Sequence, residues 1–144
     1  AMTTVLCIGG DAGILEIKKA LLEPRGYIVL TAPDGATGIA ISRKQSVDVT
    51  VLDFNTAGMD GYKTAAILMK EQPTVPVVIC SGSADDLPES LKWFADELVW
   101  KSAGPEALLA AIEKAMGFKT AGKKSSIRVT GGAERQLCAD WQAT

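Results

Sequence analysis

Five times between residues 5 and 117, a short β-branched apolar run gives way to a longer stretch whose apolar residues recur every three or four positions. The runs at residues 5–8, 27–30, 47–52, 75–80 and 98–100 predict strands. The first helix is expected over about 12–22, with Ile14, Ile17 and Leu21 on its inward face and Pro24 and Gly26 ending it. Asp34 is placed to cap a second helix carrying Ile39, Ala40 and Ile41. A third opens near Asp60, with Tyr62, Ala65, Ala66 and Met69 expected inward. Leu91 and Phe94 mark a shorter fourth helix. Gly104, Pro105 and Glu106 start a fifth, which presents Leu108, Leu109, Ile112 and Met116 on one side.

The strand runs are nearly continuous in apolar residues rather than alternating, the pattern of a parallel sheet covered by helices on both faces. Five βα repeats therefore predict a doubly wound α/β domain. In such a sheet the functional crevice lies outside the carboxyl ends of the strands. Four of those ends carry Gly9-Gly10-Asp11, Asp53-Phe54-Asn55, Ser81-Gly82 and Lys101-Ser102. One carboxylate, one hydroxyl and one ammonium thus converge. A carboxylate can attack a phosphoryl donor, a lysine can neutralise the transferred charge, and a hydroxyl can hydrogen-bond the product.

Composition narrows the chemistry further. The 144 residues contain no histidine, which excludes Ser-His-Asp hydrolysis, a Cys-His nucleophile pair, His-ligated zinc and a phosphohistidine in this chain. Cys7, Cys80 and Cys138 are far apart and odd in number, fitting neither a disulfide framework nor a zinc site and pointing to a reducing cytoplasm. Cys7 and Cys80 lie within strand runs and are expected to be inert core residues. No run approaches the ~20 apolar residues that span a bilayer. The first residues run straight into a strand, leaving no room for a secretory leader, and Ala1 ahead of Met2 has the look of a cloning remnant. Around Gly9, Gly10 and Gly13 a dinucleotide fingerprint fails, because Asp11 and Ile14 stand where its later glycines belong.

The segment 53–61, Asp-Phe-Asn-Thr-Ala-Gly-Met-Asp-Gly, resembles the D-x-x-M-P-G-M-D-G signature of bacterial two-component response regulators. Together with Ser81 and Lys101 in register at their strand ends, it marks residues 3–117 as similar to a CheY-like receiver domain. The resemblance implies a five-stranded, flavodoxin-like (βα)5 sheet in the order 2-1-3-4-5. It also implies that the chain is not an enzyme in its own right. Asp53 falls on the phosphoacceptor, Ser81 on the switch hydroxyl and Lys101 on the invariant lysine. The partners implied are a sensor histidine kinase or phosphotransfer protein, and an effector or second copy meeting the fourth helix, fifth strand and fifth helix.

The departures from the family pattern bear on mechanism. Family members end the first strand with two adjacent acids that hold Mg²⁺ together with the phosphoacceptor; here Gly9 and Gly10 occupy those positions. Asp53 and the Asn55 backbone carbonyl remain as donors, and Asp11 either supplies a further ligand or caps the first helix. Mg²⁺ binding is therefore expected to be weak or absent, and phosphorylation slow or absent. The alternative to phosphate-dependent signalling is a pseudo-receiver, an interaction module working without phosphate. Ser102 replaces the proline after the lysine, so a trans bond is expected there. The aromatic switch position, three residues before the lysine, holds Leu98, and Trp100 is expected on the opposite strand face.

Residues 118–144 form a basic extension of net charge +3 on a body of −5, with room for a strand near 126–130 and a short helix over 133–141. That space is too short for a helix-turn-helix, so DNA binding by this chain alone is not expected. Asp85, Asp86, Asp96 and Glu97 flank the fourth helix and are expected as solvated caps and loop charges rather than ligands; of Trp93 and Phe94, one is expected to face solvent or a partner.

Overall fold

The computed structural model describes residues 2–54, 60–82 and 96–121. Five parallel strands form one sheet: β1 (Thr4–Ile8), β2 (Ile28–Ala32), β3 (Val49–Asp53), β4 (Val77–Ser81) and β5 (Glu97–Trp100). Their order is β2-β1-β3-β4-β5, so the chain reverses its direction of winding between β1 and β3. Helices α1 (Ala12–Leu22), α2 (Gly35–Lys44) and α3 (Gly61–Glu71) follow the first three strands, and a last helix, Pro105–Ala121, follows β5. Residues 83–95 lie outside the described part, and with them the expected fourth helix and the aromatics Trp93 and Phe94. The described helix at the end of the chain continues four residues beyond 117; the expected strand and short helix of the tail lie outside the described residues.

The continuous apolar runs are explained by alternation across a sheet buried on both sides. Val5 and Cys7 of β1 join Val51, Val78, Cys80 and Val99 on one face, under Leu15 and Leu22 of α1 and Leu108, Leu109 and Ile112 of the last helix. Leu6 and Ile8 join Leu52, Ile79 and Leu98 on the other, against Ala65 and Leu68 of α3. Every residue of β3 and β4 is buried.

The inward faces of two helices differ from those expected. On α1, Leu15 and Leu22 are buried while Ile14 and Ile17 are 37% and 68% exposed; Leu21 is half-buried against the same core. Apolar residues lie on both sides of this short helix, so spacing alone allows two faces, and the sheet takes the one carrying Leu15. On α3, Tyr62 and Ala66 point outward, and Gly61, Thr64, Ala65 and Leu68 are the buried residues. There the helix meets its neighbours through small residues. A Cβ on Gly35 of α2 would overlap the Thr64 hydroxyl, and one on Gly38 would overlap the tip of Ile8. Close helix approach thus selects glycine, an effect invisible to hydrophobic periodicity. Across the outer surface, the Arg43 guanidinium of α2 donates two hydrogen bonds to Glu71 of α3, at 2.9 and 2.5 Å.

Helix starts follow the expected capping chemistry. Asp34 accepts from the Thr37 amide at 2.8 Å, and Asp60 from the Lys63 amide at 2.9 Å. Gly104, at φ +91°, sets the turn before Pro105, a backbone geometry that side chains disfavour.

Candidate functional site

The parallel arrangement brings the C-terminal ends of β1, β3, β4 and β5 to one edge of the sheet. Asp53 is the last residue of β3 and only 3% exposed. The strand ladder carries on past it, with the Phe54 amide donating to the Cys80 carbonyl at 2.9 Å, so its backbone is fixed on both sides. Ser81 ends β4 and is 1% exposed. Lys101 follows β5 directly and opens a single 3-10 turn, Lys101–Ala103. Its ammonium Nζ stands 2.6 Å from Oδ1 of Asp53, with the carboxylate buried and the lysine stem partly in solvent.

Gly9 closes the site on the β1 side. Its amide donates to the Ala32 carbonyl at 3.0 Å, extending the pairing of β1 with β2 by one residue. A Cβ built on Gly9 would lie 3.2 Å from the Asp53 Cβ and 3.5 Å from its Oδ2. Gly9 is buried and Gly10 is exposed, and neither has a positive φ. At Gly9 a side chain would therefore meet crowding against Asp53 rather than a backbone restriction.

Asp11 caps α1: its Oδ1 accepts from the Gly13 amide at 2.8 Å and the Ile14 amide at 3.2 Å. The carboxylate is thereby tied to the helix N-terminus, the capping role of the two expected for it. Asn55 lies outside the described residues. Among the described residues, no three His, Cys, Asp or Glu side chains gather as a metal cluster. Among the described residues, the donor set at Asp53 is one carboxylate with Lys101 on one of its oxygens and Gly9 beside the other. Such a set does not fit a resident Mg²⁺ of the kind the sequence resemblance implies, which needs further oxygen ligands at short range.

Leu98 is buried, and its face of β5 was expected to exclude Trp100. The structure corrects this: Leu98 and Trp100 both pack against the cluster of Leu6, Leu52 and Ile79, whereas Val99 lies on the other side. Side chains two apart on a strand share a face, so parity alone contains this information. Trp100 also stands in register with Ser81 across the β4–β5 pairing, which places an indole next to the hydroxyl position. A second correction concerns Asp96 and Glu97. Glu97 is the first residue of β5 and 6% exposed, while Asp96 Oδ2 accepts from the Val77 amide at 2.8 Å; neither is a solvated loop charge. Asp85 and Asp86 lie outside the described residues. The peptide bond between Lys101 and Ser102 is trans.

The two described thiols take no part in the pocket chemistry. Burial pushes the Cys7 thiol up to about 12, and it pushes the Cys80 thiol up as well, so both stay protonated at neutral pH.

Comparison with known proteins gives one consistent result. The family model for the response regulator receiver domain matches residues 5–113. The transcriptional regulatory protein GlrR of Escherichia coli is 31% identical over 114 residues, covering 78% of this chain and 26% of that protein. KdpE of Mycobacterium tuberculosis is 33% identical over 122 residues, covering 83% of this chain and 54% of that protein. The chain thus spans between about a quarter and about half the length of these curated relatives. Among solved structures, a response regulator receiver domain protein from Clostridium thermocellum superposes with a TM-score of 0.75 at 28% identity, covering 83% of this chain and 98% of the other.

Proposed function

The chain belongs to the response regulator receiver family of two-component signalling, and from that premise we propose that Asp53 is its phosphoacceptor, with Lys101 and Ser81 completing the site. The observation that carries this reading is a buried carboxylate at a strand end, held by an ammonium at 2.6 Å with a buried hydroxyl on the neighbouring strand end. An Asp53 oxygen attacks the phosphorus of a phosphohistidine or an acyl phosphate. The new O–P bond forms as the P–N or P–O bond to the leaving group breaks. The leaving group keeps the electron pair: a histidine nitrogen then takes a proton from solvent, whereas the carboxylate of an acyl phosphate departs as the anion. The product is an aspartyl phosphate, with Lys101 balancing part of its charge and Ser81 donating to a phosphoryl oxygen. Since the chain has no histidine, the donor is a separate group: a sensor histidine kinase or phosphotransfer protein.

Signalling then passes by protein contact rather than by catalysis on a small substrate. The face of β5 and the last helix, where Leu98, Trp100, Ala107 and Ala111 line an open groove, supports an effector or second copy as partner. The charge of −2 offers no general attraction for nucleic acid. No helix among the described residues is long and apolar enough to cross a membrane, in keeping with a cytoplasmic site of action. Incubation with acetyl phosphate followed by intact-mass measurement tests the proposal. It expects one phosphoryl adduct that disappears in Asp53→Asn; an adduct that persists in Asp53→Asn, or no adduct at all, overturns it.

A further inference from the structure

We infer that this pocket accepts the phosphoryl group without a divalent cation, with Lys101 supplying the countercharge. The inference rests on the reading of Asp53 as acceptor. Its starting point is the mismatch between the Asp53 donor set and Mg²⁺. A pocket with three carboxylates and one lysine carries an excess of two negative charges, which a dication cancels. Replacing two of those carboxylates with Gly9 and Gly10 removes the same two charges. The Asp53–Lys101 pair is therefore neutral before transfer, just as a three-carboxylate pocket is with its metal bound. After transfer of a group carrying up to about two negative charges in place of the carboxylate's one, both pockets hold one excess negative charge. Deleting the acids and the metal together leaves the charge balance of the reaction unchanged.

Geometry supports the same conclusion. The ammonium already sits within hydrogen-bond distance of Oδ1, and Asp53 is 5% exposed at its side chain, so this interaction is weakly screened. On the Oδ2 side the neighbour is Gly9, whose missing Cβ would stand 3.5 Å from that oxygen. Among the described residues, backbone rather than a second carboxylate forms that wall. Of the described residues, a dication here would meet an ammonium and one carboxylate, fewer oxygen ligands than it needs to offset the water it sheds.

The test uses the full chain with acetyl phosphate, once in millimolar MgCl₂ and once in excess EDTA, with the adduct read by intact mass and assigned through Asp53→Asn. Calorimetric titration with MgCl₂ alone is the second readout. The inference expects adduct yields that agree within about twofold in the two conditions. It also expects no saturable Mg²⁺ binding below millimolar concentration. An adduct confined to MgCl₂ overturns the inference and leaves the acceptor reading standing, as does sub-millimolar binding lost in Asp53→Asn. Absence of any adduct in both conditions overturns the acceptor reading and the inference with it.

Discussion

Lys101 Nζ lies 2.6 Å from Asp53 Oδ1, an ion pair joining the ends of two strands that are not neighbours in the sheet, β3 and β5. The pair therefore braces the site across β4, and it does so with the carboxylate buried and the lysine 37% exposed at its side chain. Removing the lysine leaves a buried charge without its ammonium. Lys101→Met is expected to lower stability by about 1–2 kcal/mol, below the usual cost for a fully buried pair because the lysine side chain is partly exposed. Asp53→Asn in the Lys101→Met background should recover part of that loss. Urea unfolding of the four members of this double-mutant cycle measures the coupling, and independent, additive effects would contradict the brace.

Gly38 packs against Ile8 with no space for a β-carbon. Gly38→Ala is expected to destabilise the domain by about 1–3 kcal/mol through overpacking, despite alanine's better helix propensity. Ile8→Val in the same chain should return part of it. Thermal unfolding of the single and double variants checks both signs.

Asp11→Ala removes the α1 cap and is expected to cost about 1 kcal/mol, while Asp11→Asn retains an acceptor oxygen and costs less. Neither change should alter the phosphoryl adduct yield in EDTA. A large loss of adduct in Asp11→Asn with stability unchanged would assign Asp11 to the chemistry rather than to the helix.

The surface pair of Arg43 and Glu71 gives a pH signature. The Arg43 hydrogen bond holds the Glu71 carboxyl below its usual value. For a carboxyl with a folded-state pKa under its unfolded one, the stabilisation is complete above the unfolded value. It fades as pH falls through the folded value. Glu71→Gln should therefore flatten the acid limb of the stability curve and change little at neutral pH. Added salt should shrink the difference, because the pair is exposed. Chemical denaturation between pH 3 and 7 at two ionic strengths makes the comparison.

Much of this was legible in the residues themselves, for identifiable reasons. Continuous apolar runs such as the one around Leu6 and Cys7 specify a doubly covered parallel strand, and the ends of such strands locate Asp53, Ser81 and Lys101. The cap at Asp34 and the helix start near Asp60 were readable because their chemistry is local. What failed was what depends on packing between elements. The choice between Ile14 and Leu15 as the inward residue of α1 is made by the sheet. The outward turn of Tyr62 follows from the close approach of α2 and α3 through Gly35 and Thr64. Trp100 was different: the two-residue period of a strand already contained its placement beside Leu98.

Gly9 also constrains how this pocket could be re-engineered. A side chain grafted at that position puts its Cβ 3.2 Å from the Asp53 Cβ, so the carbon that aims the nucleophile must give by a few tenths of an ångström before a ligand is gained there.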